Sequence, residues 1–499
     1  MVDTFLAALA IVSRWDVIAA LLAGSVGGVI IGAIPGVGPA VAIAILLPAT
    51  FGMEPIVGLT LLLGIYGSAM FGGSIPSILI NTPGTPVNAL TTYDGYPMTK
   101  AGEAPRALGL SFGASFFGGI FAVIALVVLA PVLARVAPMF GSREIFLAAL
   151  LGCVLVVVAH RGQSLAAGAL LMFGLFLNTV GMEANNYTQR YTFDLAFLTQ
   201  GVNLIVVVLG LFAVSQAFIL LTGKDDMEAA PEIHGSVLKG VREVFRNKRV
   251  AVAGSLSGTI MGIIPGVGEF TSQFLSYSYA RATSKRPELF GKGSPEGLIA
   301  SESANNSVPP AAMVPLLALG IPGEALTAMM LSVFYVHNVI PGPALFRDHM
   351  DFVMALYICL ALLNILALAF LLVATKPLLK VLVIPNRYLG MIILTLSFVG
   401  IYSLRNSVID CVMSAVFGLL GVVLKRLNLP IVPIILGMVL GGIMETKFRT
   451  SLPRIGSLWD WIDRPVAMVI FGLICMVLAL HVVGMWRDWK GKRHGSIQH

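Results

Sequence analysis

The sequence holds 499 residues, of which 57% are hydrophobic and only 11% charged, with a mean hydropathy of +0.91. Soluble domains carry about 25% charged residues, so this chain has too little polar surface to meet water on every side and reads as a polytopic membrane protein. The formal charge of +7 is scattered over short loops and forms no basic stripe interleaved with aromatics, which excludes a nucleic-acid surface.

Apolar runs at residues 17–47 (broken once), 107–133, 195–221, 352–374 and 466–483 are each long enough to cross about 30 Å of hydrocarbon as a helix. In the first of these, Gly24, Gly28 and Gly32 recur every four residues and share one helix face, a strip suited to close packing against another helix. The run is then interrupted by Pro35-Gly36-Val37-Gly38 and resumes at once. Proline removes a donor and clashes with the preceding turn, and the glycines loosen the chain after it. This pattern predicts a discontinuous membrane helix whose free amides and carbonyls face a cavity, with Pro35, Gly36 and Gly38 as break or gating residues; a turn at the membrane surface is the alternative. Further on, residues 74–86 hold Ser74, Pro76, Asn81, Thr82, Pro83, Thr85 and Pro86, a composition that predicts irregular backbone rather than a helix. Asp94, in the run Tyr93-Asp94-Gly95-Tyr96-Pro97, reads as a turn.

The polar interval 222–250 divides the chain near its middle and is rich in basic residues, which places it in the cytoplasm together with the basic tail around Arg487–Arg493. The N-terminus is expected outside. After the interval the opening pattern returns. Residues 24–39 and 254–269 agree at ten of sixteen positions at an offset of 230, so that Gly254, Gly258, Gly262, Pro265, Gly266 and Gly268 echo the first set. A second echo matches Pro76, Pro83 and Gly84 to Pro315, Pro322 and Gly323 at an offset of 239. Duplication explains both. The expected fold is therefore an all-α polytopic membrane protein of two homologous halves, read as inverted repeats, with discontinuous helices and re-entrant hairpins. The expected division is a first repeat at 1–221, a cytoplasmic linker at 222–250, a second repeat at 251–465, and a final transmembrane helix with a basic tail at 466–499.

Hydroxyls and amides donate hydrogen bonds without fixed charge, which suits reversible binding of a polyanion. Ser74, Asn81, Thr82 and Thr85 are the predicted substrate ligands of the first half, and Asn305, Asn306 and Ser307 those of the second; for the hydroxyls, bonding back to their own helix is the competing role. Glu269 follows the second IPGVG, Glu302 precedes the Asn-Asn-Ser cluster and Glu324 follows the second Pro-Gly. An ion in hydrocarbon faces a cavity or a partner, so each is a candidate for cation coupling, or for pairing with Arg281, Lys285 or Arg286. Enzymatic chemistry is not expected. The four cysteines sit in apolar stretches with no CxxC, the seven histidines form no HExxH, and no phosphate-binding GxxxxGK[ST] is present.

Both IPGVG copies, the run from Asn81 to Pro86, Asp94-Gly95-Tyr96-Pro97, and Asn305 through Pro310 together resemble the TctA family, the large membrane subunit of tripartite tricarboxylate transporters. The likeness covers roughly residues 17–485. It implies a secondary carrier of the bacterial inner membrane that takes up small carboxylates such as tricarboxylates or dicarboxylates by cation-coupled symport. It also implies two partners, a small four-helix membrane subunit and a periplasmic solute-binding protein. No cofactor is implied beyond a coupling Na+ or H+. Self-association into a homo-oligomer is left open. A passive channel, or an exporter that works without a binding protein, remains the alternative reading of the same broken helices.

Overall fold

The structure, a computed structural model, describes residues 2–35, 37–160, 162–183, 188–223, 235–379 and 384–495. Gly36 and residues 224–234 of the expected linker lie outside the described residues. The first helices are α1 (Val2–Val12), α2 (Trp15–Ala33), α3 (Gly38–Thr50), α4 (Pro55–Leu79), α5 (Ala89–Lys100), α6 (Ala104–Val136), α7 (Ser142–Ala159) and α8 (Ser164–Thr179). A two-residue pair of strands, β1 (Gly181–Met182) and β2 (Gln189–Arg190), precedes α9 (Ala196–Thr199), α10 (Leu204–Val208), a π-helical turn at Leu209–Val214, and α11 (Ser215–Thr222). The chain continues through α12 (Val237–Arg246), α13 (Lys248–Ile263), α14 (Gly268–Thr283), α15 (Pro295–Leu319), α16 (Ala325–Val336) and α17 (Pro343–Asp348). It ends with α18 (Met350–Leu378), α19 (Asn386–Arg405), α20 (Val408–Arg426), α21 (Val432–Ser451) and α22 (Pro465–Gly495). Among the described residues, nine helices are long and apolar enough to cross a membrane. The apolar run expected from residue 195 becomes regular helix for the membrane only at Leu204, where Asn203 accepts the Ile205 amide as a cap.

The helices fall into two compact units, residues 1–135 with 203–427, and residues 136–202 with 428–499. In the smaller unit α21 packs against α7 and α8, with Gly174 and Gly437 pressed onto backbone of the partner helix. Arg190 pairs with Glu445 at 2.6 Å, and Arg449 bridges Glu445 and Glu183. The exposed turn at its C-terminal side is closed by Asp460, whose carboxyl is held below the usual range by the amides of Gly456 and Ser457.

The larger unit is organised around α4 and α15. Both are buried on all sides over most of their length, unlike α19 and α20, which turn rows of apolar side chains such as Val408, Val412, Val416 and Leu419 outward. The glycine strips explain the close approach. A Cβ at Gly24, Gly28 or Gly32 would run into the Leu61, Ile65 or Ala69 carbonyl of α4. A Cβ at Gly254, Gly258 or Gly262 would meet the Ala300, Ala304 or Val308 carbonyl of α15. The partner residues in the two sets differ by 239, the offset of the second sequence echo. In each pair the partner number rises with the glycine number, so α2 runs parallel to α4 and α13 parallel to α15. The Arg14–Glu54 ion pair at 2.7 Å joins the start of α2 to the turn between α3 and α4.

The expectation that residues 74–86 lack regular helix is corrected: α4 runs through Ser74 and Pro76 to Leu79, and only Ile80–Thr85 is irregular. Pro76 leaves the Gly72 carbonyl without its helical donor, and hydroxyls bond the carbonyls on either side of it. Ser74 Oγ donates to the Phe71 carbonyl and Ser77 Oγ to the Gly73 carbonyl, each at 2.8 Å. Similarly α15 stays helical through Pro309, Pro310 and Pro315.

Because these helices touch backbone to backbone, Gly32→Ala or Gly72→Ala should destabilise the protein by about 1–3 kcal/mol. Gly27→Ala, where a Cβ meets open space, should change stability by less than about 0.5 kcal/mol. Thermal unfolding of the purified variants in one detergent checks the contrast.

Candidate functional site

Each half interrupts a helix twice. After α2, the Ile34 amide donates to the Ile31 carbonyl at 3.0 Å and the Val37 amide to the Ile34 carbonyl at 3.3 Å. After α13, the same bonds recur from Ile264 to Met261 and from Val267 to Ile264. Pro35 and Pro265 contribute no donor, and the helical ladder stops. Gly38 and Gly268 then open the next helices with φ of +55° and +66°. Gly266, at φ +81°, donates its amide to the Gly323 carbonyl at 2.6 Å. This conformation and close approach are open to glycine and strained for an L side chain.

The second interruptions fold back along the helices they leave. Beyond α4, the Thr82 amide reaches the Pro76 carbonyl and the Gly84 amide the Gly73 carbonyl, at 3.3 and 3.2 Å. Beyond α15, the Ile321 amide reaches the Pro315 carbonyl at 3.3 Å. Gly84 thereby lies against Gly32 and Gly73, and Gly323 against Gly262 and Ala312. In both halves the two interruptions are in contact.

The predicted ligands divide between this region and its surroundings. Thr85 is buried, with its hydroxyl 2.5 Å from Asn88 Oδ1, and its methyl group faces Gly38. Asn81 and Thr82 are exposed, Asn81 in a left-handed conformation at φ +56°. Ser74 is buried and bonded to its own helix. Asn305 is fully buried with neither Oδ1 nor Nδ2 partnered. It stands about 10 Å along α15 from Ala312, at 1.5 Å per residue. Asn306 and Ser307 turn toward α6: Asn306 Nδ2 donates to Ser115 Oγ at 2.7 Å, and Ser307 Oγ to the Gly118 carbonyl at 2.9 Å.

All three candidate carboxylates are buried, and among the described residues none pairs with Arg281, Lys285, Arg286 or any other cation. Glu269, at the first turn of α14, accepts from the Tyr66 hydroxyl of α4 at 3.3 Å. Glu302 accepts from Thr91 of α5 and, at 3.0 Å, from Ser115 of α6. Glu324 precedes α16, where its amide is capped by Thr327 Oγ1 at 3.0 Å while its Oε1 has no partner. Buried carboxylates with no basic side chain paired to them among the described residues are equipped to take a proton or a small monovalent cation.

Sequence reasoning passed over Tyr66, Thr91 and Ser115. Tyr66 was discoverable, because it stands 239 positions before Asn305. Asp94 is corrected outright. It belongs to α5, not to a turn, and is buried, with Oδ1 accepting the amides of Gly291, Gly293 and Ser294 at 2.8–3.0 Å. It fixes the loop that starts α15.

A family model described as the tripartite tricarboxylate transporter TctA family matches residues 18–436. The chain belongs to the TctA family. It is accordingly a carboxylate transporter and a multi-pass protein of the bacterial inner membrane, not an enzyme. Two relatives come from Agrobacterium vitis. An uncharacterized 52.8 kDa protein in the TAR-I ttuC' 3' region is 34% identical over 91% of both chains. An uncharacterized protein in the TAR-II ttuC' 3' region is 33% identical over 45% of this chain and 93% of its own length. No solved structure matches. In this TctA protein, Gly266→Val should cut transport at least tenfold while membrane insertion persists, read by labelled-solute uptake alongside quantitation of protein in the membrane. Asp94→Ala leaves three amides without their charged acceptor and should lower stability by about 3 kcal/mol or more, read by thermal unfolding.

Proposed function

We propose that this TctA protein is a cation-coupled symporter for a small tri- or dicarboxylate, and that its binding site lies where the paired helix interruptions meet. The observation that carries the proposal is that Gly84 lies against Gly32 and Gly323 against Gly262. Amides at the starts of α3 and α14 suit a carboxylate, and freed carbonyls suit a cation. Thr85, Asn81, Thr82 and Asn305 supply neutral donors around this region. At the sequence offsets of 239 and 230, the contact between Tyr66 and Glu269 has Asn305 and Pro39 as its counterpart pair, Pro39 being one residue past the first break. Ser74, Asn306 and Ser307 have structural partners and act indirectly, by shaping the helices.

Glu269 and Glu324 are the foremost coupling residues, since both flank the second pair of interruptions. Glu302 belongs to a lateral polar cluster with Thr91, Ser115 and Asn306 and is the third. The need for coupling is electrical. A trianion entering against 100 mV faces about 7 kcal/mol, at about 2.3 kcal/mol per charge, so several cations must enter with it. The coupling ion is Na+ or H+.

Supporting the finer architecture, α2 and α3 form a hairpin whose base is tied by Arg14–Glu54 and whose tip is the first break. The α13–α14 pair repeats it: residues 248 and 285, at its base, line one cleft. The end of α16 approaches the first base, through His337 and the Thr50 carbonyl at 3.3 Å. The middle of α5 approaches the second base, through Asp94 and the loop at 291–294. We therefore read the halves as inverted repeats with re-entrant hairpins, the basic second base facing the cytoplasm. A periplasmic solute-binding protein delivers the carboxylate, and a small four-helix membrane subunit completes the complex.

The test is uptake by proteoliposomes holding both membrane subunits, supplied with the binding protein. Labelled carboxylate should accumulate only under an imposed Na+ or H+ gradient. Downhill flux that ignores every gradient would indicate a channel and overturn the symport reading. Asn305→Ala should raise the half-saturating carboxylate concentration about three- to tenfold, equivalent to one lost hydrogen bond. Glu269→Gln and Glu324→Gln should abolish gradient-driven accumulation yet keep solute binding.

A further inference from the structure

A basic cleft of about 430 Å³ lies at the base of the α13–α14 hairpin. Its lining includes Arg246, Lys248, Arg249 and Lys285, with Glu296 the acidic member. Among the described residues none of these four cations forms an ion pair, although elsewhere Arg106, Arg190 and Arg449 are paired. Four exposed cations against one carboxylate around a single cavity give it a positive potential that draws anions.

The surface leading away from the cleft is apolar. Val252, Leu256 and Ile260 are exposed at intervals of four along α13, directly after Lys248 and Arg249. Phe270 and Phe274 are exposed on α14, and Tyr279, itself exposed, lines the cleft. Beside them α12 buries Val241 and Val244 and keeps Lys239, Arg242 and Arg246 on its exposed side. Its apolar face packs on α6, through Gly109 and Gly113, so its cations are left on the outer side beside the cleft. Cationic cavity and apolar stripe thus adjoin on α13, in the order of a lipid headgroup and its acyl chains.

We propose that this cleft binds the headgroup of an anionic phospholipid, with the acyl chains laid along Val252, Leu256 and Ile260. The occupant is a lipid, not a free anion, because the apolar stripe continues from the cavity and hydrocarbon is its natural cover. Lipid bound here touches α13, the helix that ends in the Gly262–Gly266 interruption, and thereby steadies the hairpin. This inference stands independently of which solute and ion are carried.

The experiment is native mass spectrometry of the purified protein with phosphatidylglycerol or phosphatidylcholine of matched acyl chains, with thermal unfolding read in parallel. The wild type should retain phosphatidylglycerol preferentially and unfold at higher temperature with it. Lys248→Gln, Arg249→Gln and Lys285→Gln should each weaken retention about fivefold, the equivalent of about 1 kcal/mol per basic residue at an anionic surface. Arg387→Gln, on α19, should leave it unchanged. The graded single variants keep the test valid if a triple variant fails to fold. Equal retention of both lipids, or unchanged retention in all three cleft variants, would overturn the proposal. So would stabilisation by inorganic phosphate alone as large as that by the lipid, which would mark a free-anion site. A shift conferred only by the small membrane subunit would likewise overturn it, marking the stripe as a protein interface.

Discussion

Backbone amides and carbonyls that leave a helix inside a bilayer must find partners in the protein or face a water-filled cavity, because lipid offers none. The larger unit is built around that demand. Glycines at four-residue spacing let α2 lie on α4 and α13 on α15 at backbone contact. The same close approach carries the interruption after α2 to the one after α4, and the interruption after α13 to the one after α15. Where the Gly266 amide meets the Gly323 carbonyl, one irregular segment satisfies another. The result is irregular backbone that is partly paired within the protein, followed directly by Glu324, whose Oε1 lacks a partner, with the unpartnered Asn305 further along α15.

The chemistry of the surrounding side chains matches a task of reversible binding. Among the described residues Glu269, Glu302 and Glu324 form no ion pair, so none of the three is locked to a basic side chain. Neutral hydroxyls and amides dominate instead. The polar cluster of Glu302, Thr91, Ser115 and Asn306 differs in kind: nearly every group in it is hydrogen-bonded, and it ties α15 to α5 and α6. Asp94 performs a related service at the base of α15, where one carboxylate oxygen gathers three loop amides. Outside this core, cations collect at the base of α13 and α14 and apolar side chains face outward, as a protein solvated by lipid requires.

Much of this was legible in the sequence. The repeated IPGVG gave the position of both first interruptions, and the glycine strips foretold the close helix contacts. The second interruptions were misjudged in extent. The prolines of residues 74–86 suggested irregular backbone throughout, yet tight packing keeps the chain helical through Pro76 to Leu79. Composition alone does not reveal which carbonyls will find substitute donors. Asp94 looked like a turn residue because Asp-Gly usually is one, and its true role depends on a loop two hundred positions away. Tyr66 carried no local signal, being an aromatic in an apolar run, and only its offset of 239 from Asn305 exposes it. The division into two units that interleave along the chain is a tertiary property that no local pattern encodes.

The most direct test is an experimental structure of the protein in a lipid bilayer, determined with its carried carboxylate and coupling ion. The solute should occupy the space between the segment around Pro35–Gly38 and Thr85 and the segment around Gly266–Glu324, within hydrogen-bonding distance of free backbone amides. Solute bound elsewhere, with both segments packed dry against their neighbours, would contradict the account.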